Sequence, residues 1–199
     1  MKLSLEAYIG ASIEHVIPDL ARLRMTVFRE FPYLYKGSLE YEQKYLQTYL
    51  ECPDSLILVV WDGETIVGAS SALPLNFETT EVQQPFLEHG FDPKTVLYLA
   101  ESVLLPAYRG QGLGHQFFDA RETHARAIKG CLWTAFCAVQ RPKDHPLRPA
   151  NHRDLDTFWQ SRGYEKRQEL STHFSWKEIG EDTESLKPMT FWLKNVSGT

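Results

Sequence analysis

The sequence predicts a mixed α/β (α+β) fold, a central sheet of about seven strands flanked by helices, and three observations carry that reading. The stretch Val96–Lys129 changes character once, at Pro106. Before it, ten residues hold one charge, Glu101, among Val, Leu, Tyr, Ala and Ser, the pattern of a strand buried on both faces. After it Leu113, Phe117, Ala120, His124 and Ala127 share one helical face. Ser55–Trp61 and Thr65–Leu73 are apolar runs joined at Asp62-Gly63, a strong hairpin signal. Strand-like and helix-like segments succeed one another along the rest of the chain.

Taken in order, Leu3–Ile9 alternates as a first strand. Ile13–Arg29 then carries Ile13, Val16, Leu20, Leu23 and Val27 on one stripe, with Pro18 placed to start or kink the helix. An aromatic loop, Phe31–Gly37, leads to a second helix from about Ser38 to Leu50, ended by Cys52-Pro53. After the hairpin, Asn76–Pro93 is a polar insertion with room for one short helix near Gln83–His89. The central strand and its helix follow, then a buried strand, Cys131–Val139. Pro142, Pro146 and Pro149 keep Gln140–Ala150 irregular. A helix from Asn151, a strand from Tyr164 to Trp176 and a last strand, Met189–Val196, complete the order.

The length of 199 residues suits one domain with a sizeable core. A net charge of -5 without any Lys or Arg run argues against a nucleic-acid or anionic-membrane surface. The longest apolar run, Leu97–Leu105, is far short of the ~20 residues a spanning helix needs. The amino terminus has no export signature, so the expected compartment is the cytoplasm. Cys52, Cys131 and Cys137 read as buried apolar residues, the latter two on one strand, too far apart to bridge. Seven scattered histidines without ligand spacing argue against a metal site.

Between the central strand and its helix lies Arg109-Gly110-Gln111-Gly112-Leu113-Gly114. The first turn of a helix leaves N–H groups unpaired and carries partial positive charge. Glycines let an anion approach those donors, and Arg109 adds a forked cation. Two readings stand on these residues, a phosphate or pyrophosphate site and a tight turn in which the glycines serve geometry. The loop is not a P-loop, since His115-Gln116 stands where Lys-Ser or Lys-Thr is needed, and the dinucleotide spacing fails at His115.

The pattern Arg109-x-x-Gly112-x-Gly114, after Leu-Leu-Pro at the end of an apolar strand, resembles the GNAT superfamily of acetyl-CoA-dependent N-acetyltransferases. A second block, Asn151–Tyr164, resembles that family's later helix. The resemblance implies a mixed, mostly antiparallel sheet splayed at the central strand. It implies acetyl-CoA as cofactor, with Val103, Leu104 and Leu105 along the pantetheine and Arg109, Gly110, Gln111, Gly112, Leu113, Gly114 and His115 at the pyrophosphate. It further suggests Asn151 beside the cofactor arm, where a plain helix N-cap is the other reading. Trp159 stands where the family usually places a tyrosine acid; a core aromatic is the bland reading. The departure costs little if the thiol, of ordinary pKa about 8.5, leaves as thiolate unaided, with water, Tyr164 or another hydroxyl as substitute acid.

Acetyl transfer to an amine needs a base, a stabilised oxyanion and a departing thiolate. Glu101, a carboxylate on an apolar strand, is the candidate base, acting directly or through water; a structural ion pair is the alternative. A backbone N–H near Leu104 would meet the oxyanion. Arg29, Tyr33, Tyr35, Arg141 and Arg148 are placed opposite the cofactor as a partly cationic, aromatic wall, which points to a small primary amine that also bears an acidic group. Two other readings use the same fold, a non-catalytic acyl-CoA sensor and a protein or peptide N-acetyltransferase. The sequence leaves a homodimer open.

Overall fold

The computed structural model describes residues 3–198. Eight strands form one sheet: β1 (Leu3–Ile9), β2 (Leu56–Asp62), β3 (Thr65–Pro74), β4 (Val96–Tyr98), β5 (Ser102–Leu104), β6 (Trp133–Val139), β7 (Glu165–Trp176) and β8 (Ser185–Asn195). The order across it is β1-β2-β3-β4-β6-β8-β7, with β5 pairing β3 off this path. Every pairing is antiparallel except β4 with β6. The strand predicted as one piece from residue 96 to 105 is therefore two. Leu99 donates to the Ala135 carbonyl, whereas the Ser71 N–H reaches across to the Glu101 carbonyl, so the chain changes partner between them.

Helices α1 (Ile17–Phe28), α2 (Leu39–Glu51) and α3 (Thr80–Glu88) pack on one face, α4 (Leu113–Ala127) and α5 (Asp156–Ser161) on the other. Alternation along β2 shows why: Ile57 and Val59 join the core under α1 and α2, while Leu56, Leu58 and Val60 meet Leu113 and Phe117 of α4. Pro18 starts α1 rather than kinking it, and Gly10–Val16 ahead of it is a 3-10 stretch. Ser38 caps α2 by accepting the Tyr41 N–H at 3.3 Å. Gly63 turns the hairpin at φ 60°. The short helix in the 76–93 insertion runs 80–88, a little earlier than expected.

Two expectations need correction. The helix foreseen from Asn151 starts only at Asp156, with Leu155 as its N-cap, so Asn151 lies exposed in a turn and caps nothing. Nearby, Asp154 accepts two hydrogen bonds from Arg148 at 3.0 and 2.9 Å, and the helix has no side-chain cap. Cys131 precedes β6 and is half-buried, so the two cysteines do not share a strand. Among the described residues, no helix is long and apolar enough to cross a membrane. No group of three or more His, Cys, Asp and Glu among them could hold a metal ion.

Candidate active site

The break between β4 and β5 organises the site. Among the described residues β5 pairs only with β3, which leaves its other edge unpaired. Leu105 donates to the Val67 carbonyl at 3.0 Å, and strand alternation turns the Leu104 N–H and C=O to the free edge. The Leu104 carbonyl there accepts from Arg109 Nε at 3.0 Å. β5 can lie so close to β3 because residue 68 is glycine: a Cβ there would stand 2.3 Å from a Leu104 methyl. Val103 points into the core, fully buried.

Beyond Leu105, a 3-10 turn at Pro106–Tyr108 delivers the chain to the glycine loop. Gly110 and Gly112 hold φ of 75° and 79°, and a Cβ at either would meet open space, so backbone angle rather than crowding requires glycine there. Gly112 is the N-cap of α4 and offers no side chain to its first turn. Among the described residues, the N–H groups of 110–114 make no hydrogen bond, whereas His115 and Gln116 donate to the Gly112 carbonyl. Five unpaired donors in sequence thus stand at the positive end of a 15-residue helix. Arg109 is steered here by Glu30 at 2.9 Å. His115 packs its ring edge-on against Phe158 of α5.

On the other side of the break opens a cavity of about 460 Å³. Its wall includes Tyr33, Tyr35 and Tyr45, the carboxylates Glu42, Glu78 and Glu101, and Arg24. Arg24 binds Glu42 Oε2 at 2.5 Å and Glu101 Oε2 at 2.6 Å. Burial opposes its charge, yet Glu101, Tyr45 and Glu42 hold its pKa well above the ordinary value. Tyr45 also reaches Glu101 Oε2, at 3.4 Å, and passes on through Tyr49 to Ser71, each link 3.1 Å. Glu101 Oε1 accepts no hydrogen bond among the described residues. Glu101 is therefore an ion-paired carboxylate with one oxygen committed and one free. At the floor the Tyr98 hydroxyl lies 3.0 Å from Cys137 Sγ, and burial pushes that thiol up to about 12.

Two contributors had no signal in the sequence. Glu78 follows β3 in the insertion; burial pushes its carboxyl up to about 7 from 4.5, since only the Thr79 N–H, at 3.4 Å, is found to bond it among the described residues. In sequence it is one polar residue among many. Arg121 of α4 is buried with no salt bridge among the described residues, and its guanidinium donates to the Glu101 and Ser71 carbonyls at 3.3 and 3.4 Å. Burial lowers its pKa to about 10. It ties the helix behind the glycine loop to the backbone at the break.

The foreseen cationic wall does not assemble. Tyr33 and Tyr35 line the cavity, but Arg29, Arg141 and Arg148 do not. Arg29 is exposed at the end of α1. Arg141 braces the aromatic loop from behind, donating to the Pro32 carbonyl at 2.7 Å, the Tyr33 carbonyl at 3.3 Å, and Glu178. Arg148 pairs with Asp154 and lies over the Phe31 ring. Trp159 packs against Phe136 and Trp192 with centroids 5.0 and 5.1 Å away. Tyr164, a suggested substitute acid, is sealed beneath α4, bonded to Thr134 at 2.9 Å, its pKa raised by burial.

A family model for the Acetyltransferase (GNAT) family matches residues 20–150. No curated protein is similar enough in sequence to count as a match. Among solved structures, the loading GNATL domain of CurA from Lyngbya majuscula is similar with a TM-score of 0.63, 14% identity and full coverage of both chains. NAA60 from Arabidopsis thaliana, in complex with a bisubstrate analogue, gives 0.62 and 13%, again over both whole chains. A ribosomal-protein-alanine N-acetyltransferase from Brucella melitensis gives 0.61 and 16%, over 96% of this chain and 99% of that one. At these identities the likeness is one of fold, but the family match takes in the helix–strand core, the break and the glycine loop together, and the chain belongs to the GNAT family of acetyltransferases.

Proposed function

We propose that this acetyltransferase moves the acetyl group of acetyl-CoA directly to a primary amine of a small molecule. The observation that carries the reading is the break at residues 99–101. A free strand edge, five unpaired N–H donors and a cavity with a buried carboxylate flank it. The pantetheine arm lies along the free edge of β5 at Val103–Leu105, and the pyrophosphate sits on the donors of 110–114, with Arg109 beside it. NAA60 from Arabidopsis thaliana, similar at 14% identity and a TM-score of 0.60, has also been solved with acetyl-CoA.

The acceptor enters from the cavity. Its nitrogen attacks the thioester carbonyl, the oxyanion is met by the Leu104 N–H on the free edge, and the C–S bond breaks to release thiolate. The proton lost by the amine goes to Glu101, directly or through a water on its free oxygen. Arg24 holds that carboxylate in place, and Arg121 holds its backbone. A cavity of about 460 Å³ is of the size that suits a small acceptor.

The test is a calorimetric titration with coenzyme A followed by an acetyl-CoA and amine panel read by thiol release. Coenzyme A binding with amine-dependent thiol release is the expected result. Binding without thiol release across the panel would make the chain an acyl-CoA sensor. No heat and no shift in melting temperature would end the reading.

A further inference from the structure

We infer that the acceptor carries a second positive charge, held by Glu78, Glu81 and the tyrosine faces of the cavity wall, beside the amine that is acetylated. This rests on reading the cavity as the acceptor site.

The wall is anionic and aromatic. Four carboxylates, Glu42, Glu78, Glu81 and Glu101, line it against one guanidinium, Arg24. Arg24 is spent on Glu42 and Glu101. Glu78 is only 8% exposed, has no ion-pair partner among the described residues, and accepts one long hydrogen bond. Glu101 Oε1, on a residue 6% exposed, accepts none. A buried carboxylate with so few donors is costly, and an arriving cation supplies what it lacks. Burial also raises the Glu78 pKa, the direction expected of a carboxyl waiting for a counter-charge.

The wall already shows how it treats a cation. The Arg24 guanidinium carbon lies 4.4 Å from the Tyr45 ring centroid and 5.1 Å from that of Phe28, with two carboxylates at its edge. Tyr33, Tyr35 and Tyr41 line the same cavity as Glu78 and Glu81. His173 is the one other basic group on the wall, and the arginines that would welcome an acidic acceptor stand outside it. The chemical class is thus a diamine, or an amine with a distal guanidinium, on a short apolar spacer.

The experiment measures binding to the coenzyme A complex by calorimetry, so it needs no turnover. Putrescine, butylamine and γ-aminobutyrate share a four-carbon length and differ in the far end, which is cationic, apolar or anionic. Putrescine should bind on the order of tenfold or more tighter than butylamine, with γ-aminobutyrate weakest. Glu78→Gln, which removes a buried charge, and Glu81→Gln, at an exposed position, should each shrink the putrescine preference severalfold. Equal binding of putrescine and butylamine, tighter binding of γ-aminobutyrate, or an unchanged preference in both variants would overturn the inference. A putrescine preference without thiol release from acetyl-CoA would leave it standing and sink the transferase reading. Thiol release without the preference would do the reverse.

Discussion

The two sides of the break are built in opposite ways. The side proposed for the cofactor is one contiguous stretch, 103–115, whose groups are mainly backbone amides, with an exposed loop at 109–112. The side proposed for the acceptor gathers side chains from α1, α2, the aromatic loop, the 76–93 insertion, the break itself, β6, β7 and β8, and its charged groups Arg24, Glu42, Glu78 and Glu101 are buried. A site made of backbone tolerates most side-chain changes and fails when backbone angles change. One made of buried side chains fails through lost charge partners. The same reaction centre should therefore answer differently to substitutions on its two sides.

The sharpest way to break the acceptor side alone is Glu101→Gln. Turnover should fall about 100- to 10,000-fold while coenzyme A affinity, read by calorimetry, stays within a few-fold. Equal rates for both proteins across pH would remove Glu101 from the chemistry. On the cofactor side, Gly112→Asp places a side chain at φ 79° and a negative charge against the proposed phosphates. Coenzyme A affinity should drop on the order of 100-fold or more, and its stabilisation of the melting temperature should vanish.

A third test uses pH. The folded Glu78 carboxyl titrates near 7 against 4.5 for an ordinary one, so between those values the folded state keeps a proton the unfolded chain has lost. Stability therefore falls as pH rises through that window and levels off above it, the full penalty being about 3 kcal/mol. Glu78→Gln should raise stability at about pH 8 and leave it nearly unchanged at about pH 4, as read by urea denaturation. A stabilisation equal at both pH values would show that the buried charge is not the cause. The smallest effect is expected where the two sides share a strand: Gly68→Ala pushes Leu104 off β3 and should cost about 1–3 kcal/mol, with weaker coenzyme A binding following the displaced edge.

The order of strands and helices was legible because it depends on periodicity and on local turn chemistry, and the family was legible through the resemblance carried by Arg109-x-x-Gly112-x-Gly114. Asp62-Gly63, Pro18, Ser38 and the glycine loop each act within a few residues of themselves. Even the break was half visible, as the one charge on a buried run. Its division into two strands was not, because the change of partner is set by Ala135 and Ser71, far away in sequence. The same limit misplaced the arginines: Arg141 was rightly brought to the aromatic loop but turns its guanidinium to the loop's backbone rather than to the cavity. The helix start read at Asn151 also moved, to Asp156, past an Asp154 that pairs with Arg148 across six residues.

What the sequence alone determined is the backbone half of this protein, from strand through glycines to helix, since three left-handed or Cβ-free positions and a helix terminus are written in consecutive residues. Only the tertiary structure decided the sign of the cavity. Charge there depends on which ionisable groups are buried together, and Arg24, Glu42, Glu78 and Glu101 meet through packing of segments that share no local pattern. Coulomb interactions act across space and not along the chain, so that half could be read only once the chain was folded.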